Sequence, residues 1–248
     1  MKSVNNLKIK LFADGADRKG ILEMYANPVI QGFTTNPTLM RKAGVTDYRT
    51  FASDILAIIK DRPICFEVFA DEFAEMEVQA LEISSWGENV FVKIPVTNTR
   101  GESSAKLLRR LARLGIKVNV TALTTLEQVQ EVCDCLREGS ASYISVFAGR
   151  IADTGCDPVP MMAEAVNVLR NTPNLELIWA SPREVLNIFQ ADSIGCHIIT
   201  ATNDILKKLS LAGKDLTEYS LETVKMFYED AQKAGFSLEV ADALERPA

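Results

Sequence analysis

A lysine inside an apolar run needs a chemical reason, and Lys93 has one of the plainest such settings: Val90-Phe91-Val92-Lys93-Ile94-Pro95-Val96. An unpaired ammonium there costs several kcal/mol to bury and avoids that cost by giving up its proton. The neutral amine is a nucleophile toward ketones. The imine it forms, once protonated, draws electrons from the neighbouring C–C bond and permits that bond to break. Carbinolamine formation, dehydration and scission all move protons, and Asp14 and Glu67, on two other apolar segments, are the candidate acid/base groups. The competing reading is structural, with Lys93 simply paired to Asp14 or Glu67 and the carboxylates neutralising it and nearby basic residues.

The elements that must position these groups recur along the 248 residues. Eight short segments rich in β-branched and aromatic residues (8–14, 30–36, 64–69, 90–96, 117–122, 143–149, 175–181 and 196–201) alternate with stretches of three- and four-residue apolar periodicity (50–60, 73–84, 103–114, 125–138, 160–170 and 183–190). This alternation predicts βαβ units and a parallel sheet, and eight cycles predict a single α/β domain, a closed (β/α)8 TIM barrel over 1–248. A short helix is expected at 204–211 and an extra C-terminal helix at about 217–235, its core near 221–234, with Met226, Phe227 and Tyr228 packed on the barrel wall, the alternatives being an interface or an active-site lid. Thr124 or Thr125 with Glu127 or Gln128 marks a helix start, and Gly115, Gly139 and Gly235 mark stops.

Strands buried on both faces read as continuous apolar runs, yet nearly every segment here has a polar residue near its C-terminal end: Asp14, Thr34 with Asn36, Glu67, Lys93, Asn119 with Thr121, Ser145 and Ser181. In such a barrel these ends meet at one mouth, where active sites lie. Arg150, just after Phe147-Ala148-Gly149, and Arg183, just after Ser181-Pro182, belong to adjacent loops of the same rim. Together they suit a phosphate, the alternative being two solvated surface arginines. His197, the sole histidine, falls within the last strand and reads as a satisfied core residue.

The remaining features mainly exclude. A net charge of −6 without a basic block argues against nucleic acid, and no apolar stretch reaches the ~18 residues of a membrane span, so a cytoplasmic protein is expected. Five scattered cysteines fit reduced thiols. Cys133 and Cys135, two apart on a helical stretch, face different directions and are not expected to bind metal. No glycine-rich nucleotide loop is present.

Four motifs, Phe12-Ala13-Asp14-Gly15-Ala16-Asp17, Gly32-Phe33-Thr34-Thr35-Asn36-Pro37-Thr38-Leu39, Val92-Lys93-Ile94-Pro95-Val96-Thr97 and Phe147-Ala148-Gly149-Arg150-Ile151, resemble in order and spacing those of the transaldolase family, including its small fructose-6-phosphate-aldolase-like branch, over most of residues 8–235. The resemblance implies Lys93 as the Schiff-base lysine, Glu67 as acid/base through a water positioned by Thr121, and Asp14 as the carboxylate assisting C–C cleavage. It implies that Asn36, Asn119 and Ser145 hold the sugar, with Thr34 and Phe147 at the same site, and that Arg150, Ser181 and Arg183 hold the phosphate. It implies no metal and no organic cofactor, small-molecule sugar phosphates as partners, and a homo-oligomer assembled through the terminal helix. The aldolase branch tends to carry Gln where Glu67 stands and Tyr where Phe147 stands, which favours transfer of a dihydroxyacetone unit over its release. Gly15, Pro182 and the longer Thr97-Asn98-Thr99-Arg100-Gly101 depart from the family pattern, and Arg100 is a candidate contact for a different anionic group, so a specialised sugar phosphate or sulfosugar stays open.

Overall fold

The computed structural model describes residues 4–238. The chain divides into two compact units, Val4–Ser210 and a segment beginning at Leu211.

In the first unit eight parallel strands close into a barrel in sequence order: β1 (Lys10–Asp14), β2 (Ile30–Thr34), β3 (Ile64–Glu67), β4 (Val90–Pro95), β5 (Val118–Leu123), β6 (Ser142–Val146), β7 (Leu175–Trp179) and β8 (Ile198–Thr202), with β8 pairing back to β1. Between and after them run α1 (Arg18–Tyr25), α2 (Pro37–Lys42), α3 (Tyr48–Ile58), α4 (Phe73–Ser84), α5 (Ala105–Arg113), α6 (Leu126–Leu136), α7 (Ala148–Asp153), α8 (Pro158–Val168), α9 (Leu186–Ser193) and α10 (Asn203–Lys207). The expected (β/α)8 TIM barrel is the observed fold.

Capping chemistry fixes many of the junctions. Thr125 and Gln128 form a reciprocal capping box at the start of α6. Asp17, Asn36 and Asp47 accept from backbone N–H groups at the starts of α1, α2 and α3. The expected strand segments 30–36 and 143–149 run past the true ends, because Asn36 is the N-cap of α2 and Ala148–Asp153 is already helical. Periodicity does not announce α2 and α7, which are six residues each, or α1, which carries Gly20 in its first turn.

Two-residue alternation divides the buried side chains between the inside and outside of the barrel. One set, including Leu11, Phe33, Phe66, Val92, Val120, Ile144, Trp179 and Ile199, packs with the helices outside. The other set, Phe12, Cys65, Phe91, Tyr143, Ile178, Ala180 and Ile198, fills the interior. Phe91 and Tyr143 stack at 4.1 Å between ring centroids, and Phe12 meets Tyr143 edge-on at 5.8 Å. Gly32 makes room for this plug, since a Cβ there would lie 2.4 Å from the Phe12 ring.

The C-terminal unit contains α11 (Leu216–Ala234), capped at its start by Asp215 and stopped by Gly235 in the left-handed conformation. It starts earlier than 221 because Asp215 binds the backbone N–H groups of Thr217 and Glu218. No residue of α11 is buried, and Met226, Phe227 and Tyr228 are exposed. Among the described residues of this unit, α11 is the one long helix. Among the described residues no helix is long and apolar enough to cross a membrane.

Candidate active site

On strand after strand, the residue two places beyond the apolar plug turns toward the barrel mouth: Asp14 follows Phe12, Thr34 follows Gly32, Glu67 follows Cys65, Lys93 follows Phe91, Ser145 follows Tyr143 and Thr200 follows Ile198. They line a cavity of about 500 Å³ with Asn119, Thr121, Asn36, Phe147, Arg150, Ser181 and Arg183. Every site residue expected from the sequence thus borders one cavity.

Lys93 is almost fully buried, its side chain 6% exposed. Its Nζ donates to the Thr35 carbonyl at 2.8 Å and lies 3.1 Å from Glu67 Oε2. The register places Glu67 directly beside Lys93, and Lys93 beside Asn119. The proton balance differs from the sequence expectation. Burial pulls the ammonium toward deprotonation, but Glu67 and Asp14, with a contribution from Cys65, outweigh it and hold the Lys93 pKa above its ordinary value. The two acidic side chains that share its pocket thus favour the charged form of the lysine.

Asp14 behaves oppositely. Enclosure raises its carboxyl above the usual range, and Lys93 and the Thr34 hydroxyl only partly offset this. Thr34 Oγ1 donates to Asp14 Oδ1 at 2.7 Å and lies 2.6 Å from Thr200 Oγ1, which ties β1, β2 and β8 together at the mouth.

Across the cavity, Ser145 donates to Asn119 Oδ1 at 2.7 Å. Asn119 Nδ2 and Thr121 Oγ1 are buried without a hydrogen-bond partner. Orphaned groups of this kind carry a desolvation penalty and mark where a polar ligand or water belongs. The Asn36 side chain does double duty, since its Oδ1 accepts from Leu39 N–H at 2.9 Å as the helix cap while the residue lines the cavity.

The arginines occupy one side. Arg150 lies over the Phe147 ring, 5.4 Å from its centroid. Gly149 is obligatory here, because a Cβ would lie 1.5 Å from the Ser181 carbonyl oxygen. Ser181 and Ala122, both on the cavity wall, adopt positive φ of 59° and 66°, a conformation disfavoured for residues with a side chain. Ala122 sits in the irregularity between β5 and β6.

Arg100 does not border the cavity. It is bound by Glu72 and Glu102, with Asp71 at 3.5 Å. His197 is half-buried at the opposite face, where its Nδ1 accepts from Leu177 N–H at 3.1 Å, and burial lowers its pKa. Sequence reasoning did not assign Pro37, Thr38, Leu39, Lys42, Ala122, Ala180 or Thr200 to the cavity. Thr200 follows the same alternation as Thr34, whereas Lys42 is signalled only as a basic residue ending the short helix that Asn36 begins.

Fold and site together define a (β/α)8-barrel protein that assembles its cavity on strand ends around one buried lysine. The chain belongs to the transaldolase/fructose-6-phosphate aldolase family, whose profile matches residues 11–238. It is 32% identical over 231 residues to a probable transaldolase of Thermoanaerobacter sp. (strain X514), covering 93% of this chain and all of that one. It is 34% identical over 228 residues to a probable transaldolase of Pelotomaculum thermopropionicum, covering 91% and 98%. Among solved structures, 2,3-dimethylmalate lyase shares the fold with a TM-score of 0.53 at 13% identity, covering 98% of this chain and 89% of that one. KGPDC from Streptococcus mutans does so with 0.56 at 10%, covering 82% and 91%.

Proposed function

We propose that this enzyme transfers a dihydroxyacetone unit from a ketose phosphate, fructose 6-phosphate or sedoheptulose 7-phosphate, to an aldose phosphate through an imine on Lys93. The observation that carries the reading is Lys93 itself, buried, 3.1 Å from Glu67 and facing the same cavity as Asp14. The resting ammonium must first lose a proton, and Glu67, directly or through a water held by Thr121, is the acceptor. The freed amine adds to the C2 carbonyl, and Glu67 returns the proton as water leaves the carbinolamine. Asp14 then takes the proton of the C4 hydroxyl. The C4–O electrons close the aldehyde, the C3–C4 bond breaks, and its electron pair flows into the iminium to leave an enamine. Asn36, Asn119 and Ser145 hold hydroxyls, and Arg150, Ser181 and Arg183 hold the phosphate. The enamine carbon then attacks the carbonyl of the incoming aldose phosphate. Phe147 offers no hydroxyl to protonate the enamine, which supports transfer rather than release. The apolar stripe of α11 is read as a self-association face, which sedimentation giving only a single-chain species would rule out.

The test is borohydride reduction in the presence of fructose 6-phosphate, followed by peptide mapping, with and without erythrose 4-phosphate. A three-carbon adduct on Lys93 that the acceptor discharges is the expected result. Rapid loss of the adduct with free dihydroxyacetone appearing would make the enzyme a lyase, and no adduct with any ketose phosphate would end the imine mechanism.

A further inference from the structure

Among the cavity's cations at the arginine side, Arg183 is the one held by a carboxylate. Its Nε donates to Asp153 Oδ1 at 2.8 Å and its Nη2 donates to Asp153 Oδ2. Its backbone N–H is held by Asn187 Oδ1 at 2.7 Å. Arg150 and Lys42 make no ion pair among the described residues. Asp153 lies three residues after Arg150 on α7, hence on the same side of that helix, but it does not border the cavity. It therefore reaches from the loop after β6 to the loop after β7.

A guanidinium has five N–H groups arranged as two usable edges. Asp153 occupies the side edge, formed by Nε and one Nη2 hydrogen. The end edge, Nη1 with the second Nη2 hydrogen, is left as a second fork able to grip an oxyanion bidentately. Both side chains are about half exposed, a setting in which an ion pair adds little to stability. Its consequence is directional: a long, flexible side chain is fixed before the ligand arrives, and the ordering cost is removed from binding.

We infer that Asp153 is a positioning residue that aims the end fork of Arg183 at an anionic group of the substrate, beside Arg150. This rests on the phosphate reading of Arg150, Ser181 and Arg183 given above. Asp153 touches no reacting atom, so its effect belongs to KM for phosphorylated sugars rather than to the bond-breaking step.

The experiment compares wild type, R183A, D153A and D153N in KM and kcat for fructose 6-phosphate, KM for unphosphorylated fructose, and inhibition by inorganic phosphate. D153A is expected to raise KM for fructose 6-phosphate and to weaken phosphate inhibition by about five- to tenfold, with kcat changing less than about twofold and KM for fructose unmoved. D153N, which keeps one oxygen acceptor, is expected to recover part of the loss. Tighter phosphate inhibition in D153A would show the carboxylate to be a competitor of the ligand and overturn the inference. Equal rises in KM for both sugars would reduce Asp153 to a structural residue. If R183A leaves phosphate inhibition intact, the phosphate reading falls and this inference with it, whereas R183A losing inhibition while D153A does not removes the inference alone.

Discussion

The two ends of the barrel are built from the same strands to opposite rules. At the N-terminal face the interior is aromatic and its polar groups are matched: Phe91 stacks on Tyr143, Lys10 binds Glu176 at 2.7 Å, and His197 accepts a backbone N–H. Four residues or fewer further along each strand, the mouth holds a buried ammonium, an enclosed carboxyl, two orphaned polar groups and two residues in the left-handed region. Local costs are concentrated where a ligand is to relieve them, and the plug supplies the packing that supports them.

If that division is right, substitutions at the two ends must fail in different assays. The largest effect belongs to Lys93→Met, which should cut turnover by about 10⁴-fold or more and abolish reductive trapping. Trapping that persists on another lysine would move the centre of the site. Phe91→Ala, at the floor, should cost about 3–5 kcal/mol in denaturant unfolding while the folded fraction keeps its kcat/KM within about threefold. Loss of activity in that folded fraction would erase the distinction between floor and mouth. Gly149→Ala comes next: its Cβ must push the Ser181 backbone away, so KM for the phosphorylated donor should rise about 10- to 100-fold, with about 1–3 kcal/mol of destabilisation.

Asp14→Asn is the smallest change in stability and the sharpest test of the mouth. Enclosure raises the folded-state pKa of Asp14, so the folded protein retains a proton that the unfolded chain releases. Stability from this group therefore falls as pH rises from the unfolded value of about 3.9 toward the folded one. Asparagine removes that loss: the thermal midpoint should rise by a few degrees at neutral pH and be unchanged below the window, while turnover drops about 100-fold. A lower midpoint at neutral pH would mean that the attraction between Asp14 and Lys93 exceeds the cost of enclosure.

The barrel and the membership of its cavity were legible because burial on both faces of a parallel strand leaves no ordinary reason for Lys93, Glu67 or Asn119 to sit there. What was not legible depended on distances between strands. The protonated state of Lys93 follows from Glu67 and Asp14 standing beside it, and no single strand carries that information. The neutralisation of Arg100 by Glu72 and the grip of Asp153 on Arg183 join segments about thirty residues apart, where spacing along the chain predicts little. What α11 docks on was not legible either, because an apolar helical period looks the same whether its partner is a barrel or another surface.

The plug around Phe12, Cys65, Phe91, Tyr143, Ile178 and Ile198 also makes the reaction chamber one-ended. The cavity at the mouth and the polar hollow at the opposite face share no lining residue, and Cys65, Ile178 and Ile198 are fully buried between them. Within the plug only Cys65 and Tyr143 carry exchangeable hydrogen, so on the proposed mechanism the protons consumed and released at Lys93 pass chiefly through the mouth or circulate among Glu67, Asp14 and the sugar. On that mechanism a donor covering the opening slows exchange with solvent, and in heavy water the label acquired by the three-carbon fragment should track how long the opening stays uncovered between donor and acceptor.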